Sequence, residues 1–536
     1  MFLTMQTIID MTKLNGEPYI MEYSSHYVVR MMIMNEVKKL KPFIGGQYVT
    51  SCTKKYVDVF NPSTGEVIAE SPCCLKEEVE SAIATAKEAY PAWRDTPVKR
   101  RAELMFKLRE LIEKNLDELT LLLATEHGKT WSEAAGDVLK AREMVELACS
   151  APSLLMGESL MDTSLGYDTT LYREPMGVFA GIAPWNFPAM IPMGWMAPLA
   201  IVCGNTYVLK PASSTPMTSL KMAELYKEAG FPDGVLNIVP CSRSEAEILL
   251  THPDIQGITF VGSTSVGLYV YSTATAHGKR VQALCEAKNH ALVLKDAPIT
   301  RTAAGIMNSS FGCAGERCMA LPVVVVDEEV ADELVAELVR LCKQQKIGPA
   351  YDKATSLGPV VSAAHKQFVC DWVQKGIDEG AQVVLDGRNV KVQGYENGFF
   401  IGHTILDYVT PQMTVGQNEI FGPVLCIKRV KSFEEGLALM NENPYANGSV
   451  IFTQSGHYAR EFTKRTDGGM VGVNVGIPVP IGIFSFSGHK KSFFGDLHCH
   501  GKDAFRFFTE SKCVTVRWFD EEEKKKTAVN TWDGSL

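Results

Sequence analysis

The chain reads as an α/β protein, with a mostly parallel sheet flanked by helices and then a second α/β region. Three observations predict this. Between Gly177 and Val261, apolar strand-like runs alternate with helical stretches, as successive βα units do. One of these strands runs straight into a glycine turn, ITFVGSTSVG. The 536 residues exceed what one hydrophobic core organises, so two or three domains are expected.

Taken in order, KPFIGGQYV reads as the first folded strand, and DVFNPSTGEVIAE (58–70) as a hairpin. Lys76–Ala92 and Pro97–Lys114 have the pattern of charged amphipathic helices, continued by Leu116–Glu126. Then come strand Gly177–Ala183, helix Asn186–Val202, strand Thr206–Lys210 and helix Met217–Glu228. Strand Val235–Val239, helix Ser244–Thr251 and strand Ile258–Val261 complete the alternation. The second α/β region runs from about Ala291 to Phe484, with helices at Glu328–Lys346 and Ala363–Glu379. EEEKKK near the end is a solvated charge run, and no internal repeat is visible.

Composition narrows the function. With 46% apolar and 21% charged residues and a mean hydropathy near zero, this is the profile of a globular enzyme. A formal charge of -9 argues against a nucleic-acid or anionic-membrane surface, while leaving room for a local basic cleft. The fourteen cysteines are scattered with no C-x-x-C, which excludes zinc-ribbon and thioredoxin motifs and fits a reduced, cytoplasmic protein. Phe187–Cys203 is apolar but short and carries Pro188, Pro192 and Pro198, so it reads as a broken buried helix rather than a membrane span. Residues 1–33 are Met-rich, with Asp10, Glu17 and Glu22 against the single arginine Arg30. They make a poor transit peptide and lack a secretory apolar core. They read as an extension, or as sequence upstream of a natural start near Met34.

Several residues carry chemistry. Gly262 ends a strand and Ser263 opens a helix, and backbone N–H groups there suit a pyrophosphate. A plain βα turn has the same local look. Lys210 ends the TYVLK strand, on the side where open α/β sheets bind ligands, and reads as a ribose or phosphate contact. Cys318 in FGCAGERCMA is a candidate nucleophile: Gly315 permits a close approach and Arg317 favours a thiolate. Cys313 reads as packing. Asn186, held between aromatics and prolines in APWNFPAM, suits an oxyanion donor, although a helix N-cap explains it equally well. His498 and His500 flank Cys499, but such adjacent side chains do not readily converge on one ion, so no metal is expected.

APWNFP, VLKPASSTP, FVGSTSVG, FGCAGERCMA and EIFGPV, in this order and spacing, resemble the aldehyde dehydrogenase superfamily over about 41–518. GKRVQ…AKNH, AGERCMA, GYENGFFIG and NVGIPVPIGIFSFSG running to GDLHCHGK are similar to its CoA-acylating methylmalonate-semialdehyde dehydrogenases. The resemblance implies a Rossmann-type NAD-binding domain (41–159 and 172–290), a catalytic domain (291–485) and a small β oligomerisation arm (160–171 and 486–520). An N-terminal extension (1–40) and a charged tail (521–536) flank these. It makes Cys318 the nucleophile and Asn186 the oxyanion amide. It places Ala183, Trp185, Lys210, Ser213, Ser214, Gly262, Ser263, Cys285, Glu419 and Phe421 around the cofactor, with Arg317, Lys140 and Arg142 at the substrate. The implied partners are NAD, CoA as co-substrate and a small aldehyde with a β-carboxylate, in a cytoplasmic homodimer or homotetramer (or a matrix protein, if eukaryotic).

The departures carry information. Hydrolytic relatives read E-L-G-G-K where this chain has Leu284-Cys285-Glu286-Ala287-Lys288. The acid that would activate water is therefore replaced by Leu284, which favours acyl transfer to CoA over release of a free acid. The alternative is hydrolysis with Glu286 as a displaced base. Ser213 and Ser214 stand where a glutamate and a basic residue are more common, leaving the choice of NAD or NADP open. Lys140 replaces an arginine associated with the substrate carboxylate.

Overall fold

A computed structural model describes residues 37–164 and 166–525. The expectations for residues 1–33, for a start at Met34 and for the tail past Lys525 lie outside the described residues. The chain divides into Met1–Lys38 and Lys39–Leu536, and the sheets that position the site belong to the second unit.

The first sheet has eight strands in the order Phe493–Phe494, Arg280–Leu284, Ile255–Val261, Val178–Ile182, Thr206–Lys210, Leu236–Ile238, Phe43–Ile44 and Gln47–Tyr48. Its five central strands are parallel. They are rich in β-branched residues and buried on both faces, as a parallel sheet covered by helices requires. After the edge strands Phe43–Ile44 and Gln47–Tyr48, the chain enters the parallel part at Val178–Ile182 and winds outward through Thr206–Lys210 and Leu236–Ile238. It then returns to the other side with Ile255–Val261 and Arg280–Leu284. This reversal opens a crevice at the carboxyl ends of Val178–Ile182 and Ile255–Val261, the place where such sheets take ligands.

The second sheet has seven strands, ordered Gln382–Leu385, Thr404–Asp407, Val424–Val430, Val323–Asp327, His290–Val293, Gly448–Phe452 and Met470–Val473. All pairs are parallel except the first. A three-stranded antiparallel sheet joins Glu158–Ser164, Tyr167–Pro175 and Thr509–Arg517. Phe493–Phe494, expected in the arm, instead pairs with Arg280–Leu284 at the edge of the first sheet.

Two helices differ from expectation. Asn186–Val202 is not one helix: a π-helical turn covers Ile191–Met196 and an α-helix follows over Ala197–Val202. Pro188, Pro192 and Pro198 each lack the N–H that a regular ladder needs. A helix that the periodicity did not reveal spans Trp131–Cys149. Its buried residues, among them Ala134, Asp137, Val138, Ala141 and Met144, recur on one face, but that face is built in good part of alanines and includes the charged Asp137, so it contrasts little with the rest of the helix. Thr130-x-x-Glu133 at its start is the missed signal, a capping box in which Glu133 Oε2 accepts from Thr130 N–H at 3.1 Å.

Candidate active site

Cys318 forms part of the wall of two cavities. One, of about 330 Å³, opens on the sheet crevice and is lined by Trp185, Asn186, Gly262, Ser263, Cys285, Glu286, Glu419 and Phe421. The other, of about 340 Å³, is lined by Glu133, Asp137, Lys140, Phe187, Trp195, Arg317 and Phe486. A thiol between two chambers can meet a different reactant from each side.

The loop that presents the thiol is strained and tightly packed. Helix Ile299–Phe311 ends in a turn over Gly312–Gly315, where Cys313 and Ala314 both take φ of 52° and Gly315 takes 75°. Non-glycine residues in this region cost roughly 1–3 kcal/mol each. A Cβ on Gly315 would fall 2.1 Å from the carbonyl oxygen of Gly422, so only glycine lets this loop meet the segment carrying Glu419 and Phe421. The Cys318 carbonyl accepts from Asn289 Nδ2 at 2.9 Å and from Asn447 Nδ2 at 3.3 Å. Sequence reasoning did not assign either asparagine, although Asn289 lies within the AKNH run.

Burial, and then the facing Glu419, push the Cys318 thiol up to about 12. Arg317 does not counter this as expected. Its Nε donates to Cys313 Sγ at 3.1 Å and its Nη2 lies 3.5 Å from Glu133 Oε1, so its charge goes to that pair rather than to Cys318. Glu419, raised by burial and by nearby Glu286 to about 8, accepts from Ala287 N–H at 3.1 Å.

Asn186 is buried, and its Nδ2 donates to the Glu316 carbonyl at 3.1 Å. Only one of its two amide hydrogens is used there. The N-cap alternative falls, because the next helical turn starts at Ile191. The segment is braced from behind by the buried Lys129–Asp137 pair at 2.7 Å. Asp137 Oδ1 also accepts from Met190 N–H at 2.7 Å, and Lys129 Nζ sits 3.4 Å from the Phe187 ring centre. These supports lie on, or just before, the unanticipated helix.

The crevice side suits a dinucleotide. Lys210 is half-buried, its pKa is lowered by desolvation, and it makes no ion pair among the described residues. A desolvated cation at a strand terminus can hold a polar or anionic group. Trp185 and Phe421, with ring centres 5.3 Å apart, offer aromatic surface. Gly267 is required for packing, since a Cβ there would lie 2.2 Å from Cys285 Sγ. Helix Thr264–Ala276 begins at the crevice with no side-chain cap from Ser263. Its first N–H is instead taken by Glu286 Oε2 at 2.9 Å. Ala183 contributes a backbone joint, donating its N–H to Lys210 O at 3.0 Å. Ser213 and Ser214 are half-buried in the turn after Lys210 and do not line the cavity with Cys318.

On the far side, Lys140 lines the cavity and donates to Glu143 at 2.6 Å. Arg142 does not line it. Two residues on along the helix, it turns away to Glu113 and, at 3.8 Å, to Glu146. Leu284 is buried and faces a small void shared with Trp195, Cys318 and Phe486, so the expected position of a general base is apolar. His498 Nε2 lies 3.0 Å from Gly488 O, whereas the His500 ring packs 4.6 Å from Trp195. Among the described residues no helix is long and apolar enough to cross a membrane.

Residues 48–514 match the aldehyde dehydrogenase family. Malonate-semialdehyde dehydrogenase 2 of Geobacillus kaustophilus (strain HTA426) is 50% identical over 483 residues, covering 90% of this chain and 99% of its own. Methylmalonate-semialdehyde dehydrogenase (DddC) of Oceanimonas doudoroffii superposes with a TM-score of 0.89 at 43% identity, covering 91% of this chain and 100% of its own. A Sinorhizobium meliloti 1021 protein of the same assignment, solved with NAD, also superposes with a TM-score of 0.89, at 42% identity over 91% of this chain and 99% of its own.

Proposed function

The chain belongs to the aldehyde dehydrogenase family, and from that premise we propose that it oxidises malonate or methylmalonate semialdehyde with NAD and passes the acyl group to CoA with loss of CO2. The observation that carries this reading is Leu284: an apolar side chain stands beside the thiol where water would need a base. The relatives named for these semialdehydes support the substrate class.

In this reading Cys318 adds to the aldehyde carbonyl, and the resulting oxyanion is held by the free N–H of Asn186 and the Cys318 backbone N–H. Lys210, the first turn of helix Thr264–Ala276, Trp185, Glu419 and Phe421 hold NAD, which when bound supplies the hydride acceptor and a positively charged ring. Oxidation leaves an acyl group on Cys318 as a thioester. A β-carboxylate on that group can leave as CO2, because the thioester carbonyl stabilises the enolate. The enolate takes up a proton at its α-carbon, and the CoA thiol then takes the acyl group, with Cys318 leaving as the thiolate. Lys140 and Arg317 receive the substrate carboxylate.

The arm forms a homo-oligomeric contact in this reading, supported by the exposed Leu160 and Met161 on its edge strand. A cytoplasmic location belongs to the same reading, since both NAD and CoA are available there. The deciding experiment follows NADH and product from malonate semialdehyde with and without CoA. A burst of about one equivalent without CoA, then turnover about 10²–10⁴-fold slower, is expected when a positioned base is missing. Fast CoA-independent formation of a free acid refutes acyl transfer and points to Glu286, which Glu286→Gln would then have to silence.

A further inference from the structure

Two glutamates cap helix starts in the first sheet, and they do so differently. Glu126 accepts from the backbone N–H groups of Met217 and Thr218, each at 2.8 Å, and from the Thr218 hydroxyl. It is 1% exposed, a sealed structural cap. Glu286 accepts from one backbone N–H, that of Thr264 at 2.9 Å, with the Tyr445 hydroxyl 3.5 Å away. Its own N–H donates to Thr264 Oγ1 at 3.3 Å. It lines the cavity that contains Cys318, beside Gly262 and Ser263. A carboxylate at a helix N-terminus makes the same interaction as a phosphate.

We propose that Glu286 is an internal competitor for the diphosphate of the dinucleotide: its carboxylate occupies the first amide of helix Thr264–Ala276 and must swing out before the diphosphate docks. The proposal rests on the dinucleotide reading of this crevice. Part of the anion-binding capacity of the helix is spent on the protein's own side chain. The single, lightly held bond of Glu286 makes that occupation reversible, where Glu126 is permanent. A carboxylate left near the docked diphosphate adds like-charge repulsion. Both effects weaken nucleotide binding and speed its release.

The test is NADH titration by fluorescence on the full-length protein, its Glu286→Ala and Glu286→Gln variants, with adenosine as a phosphate-free comparator. Losing one charged hydrogen-bond competitor predicts a Kd about tenfold lower for Glu286→Ala. Glu286→Gln, which keeps the acceptor but not the charge, should fall between the two. Adenosine should bind all three alike. The thermal midpoint of Glu286→Ala without nucleotide should not rise, since a helix cap has been lost. Unchanged or weaker NADH binding in Glu286→Ala overturns the proposal, as does an equal gain for adenosine. Absence of saturable NADH binding in the unmodified protein would overturn the dinucleotide reading, and this proposal with it.

Discussion

The two cavities that share Cys318 handle charge in opposite ways. On the substrate side each charge has a protein partner: Lys140 with Glu143, Arg317 with Glu133, Lys129 with Asp137. On the cofactor side no lysine or arginine lines the wall, and Glu286 and Glu419 there are held by backbone N–H groups rather than by a cation. One chamber is electrostatically closed, and the other awaits a counter-charge. The resting protein therefore does little to ionise its thiol, and in the proposed reading the positively charged ring of NAD would supply the missing partner.

Replacing the shared wall is the harshest way to break this comparison. Cys318→Ala should lower NADH formation by about 10⁴-fold or more, because the covalent step is lost. NADH titration should still saturate, because the cofactor chamber is otherwise intact. Substantial turnover in that variant would remove Cys318 from the mechanism. Asn186→Ala comes next, with a loss of about a hundredfold in kcat, the usual scale for one oxyanion donor. A near-normal kcat would leave Asn186 only its bond to Glu316.

Arg317→Leu tests the closed chamber. Catalytic efficiency on malonate semialdehyde should fall about thirtyfold, the scale of a lost charged hydrogen bond, with little change on propanal. Equal losses on both substrates would confine Arg317 to bracing Cys313 and Glu133. The mildest probe sharpens the open chamber. With the thiol pushed up to about 12, alkylation of nucleotide-free protein by iodoacetamide should rise about tenfold per pH unit, since only the thiolate reacts. No plateau should appear below pH 10, and NAD should raise the rate at fixed pH. A plateau near pH 8 would mean that the resting protein does stabilise the thiolate.

Much of this was legible in the sequence because it rests on local signals. Strand Thr206–Lys210 appears at its expected bounds, since a short β-branched run closed by Lys-Pro has few other options. Cys318, Asn186 and the glycine turn lie in compact runs, and the crevice gathers them. The pull of Arg317 on the thiol and the direction of Arg142 were not legible, because a cation's direction depends on acids distant in sequence, Glu133 and Glu113. The Trp131–Cys149 helix escaped because its buried face is made in good part of alanines and carries Asp137, so the apolar contrast is weak. The contact of Glu286 was hidden as those of the two arginines were, because its partner, Thr264, comes from a different βα unit.

The close approach of Gly315 to the Gly422 carbonyl sets the gap between thiol and Glu419 by main chain against main chain. Spacing fixed in that way cannot be adjusted by rotamers. A single added methyl at position 315 would push the nucleophile and the cofactor-side acid apart together. No side-chain change at either residue restores such a gap, so the two loops can be retuned only as a pair.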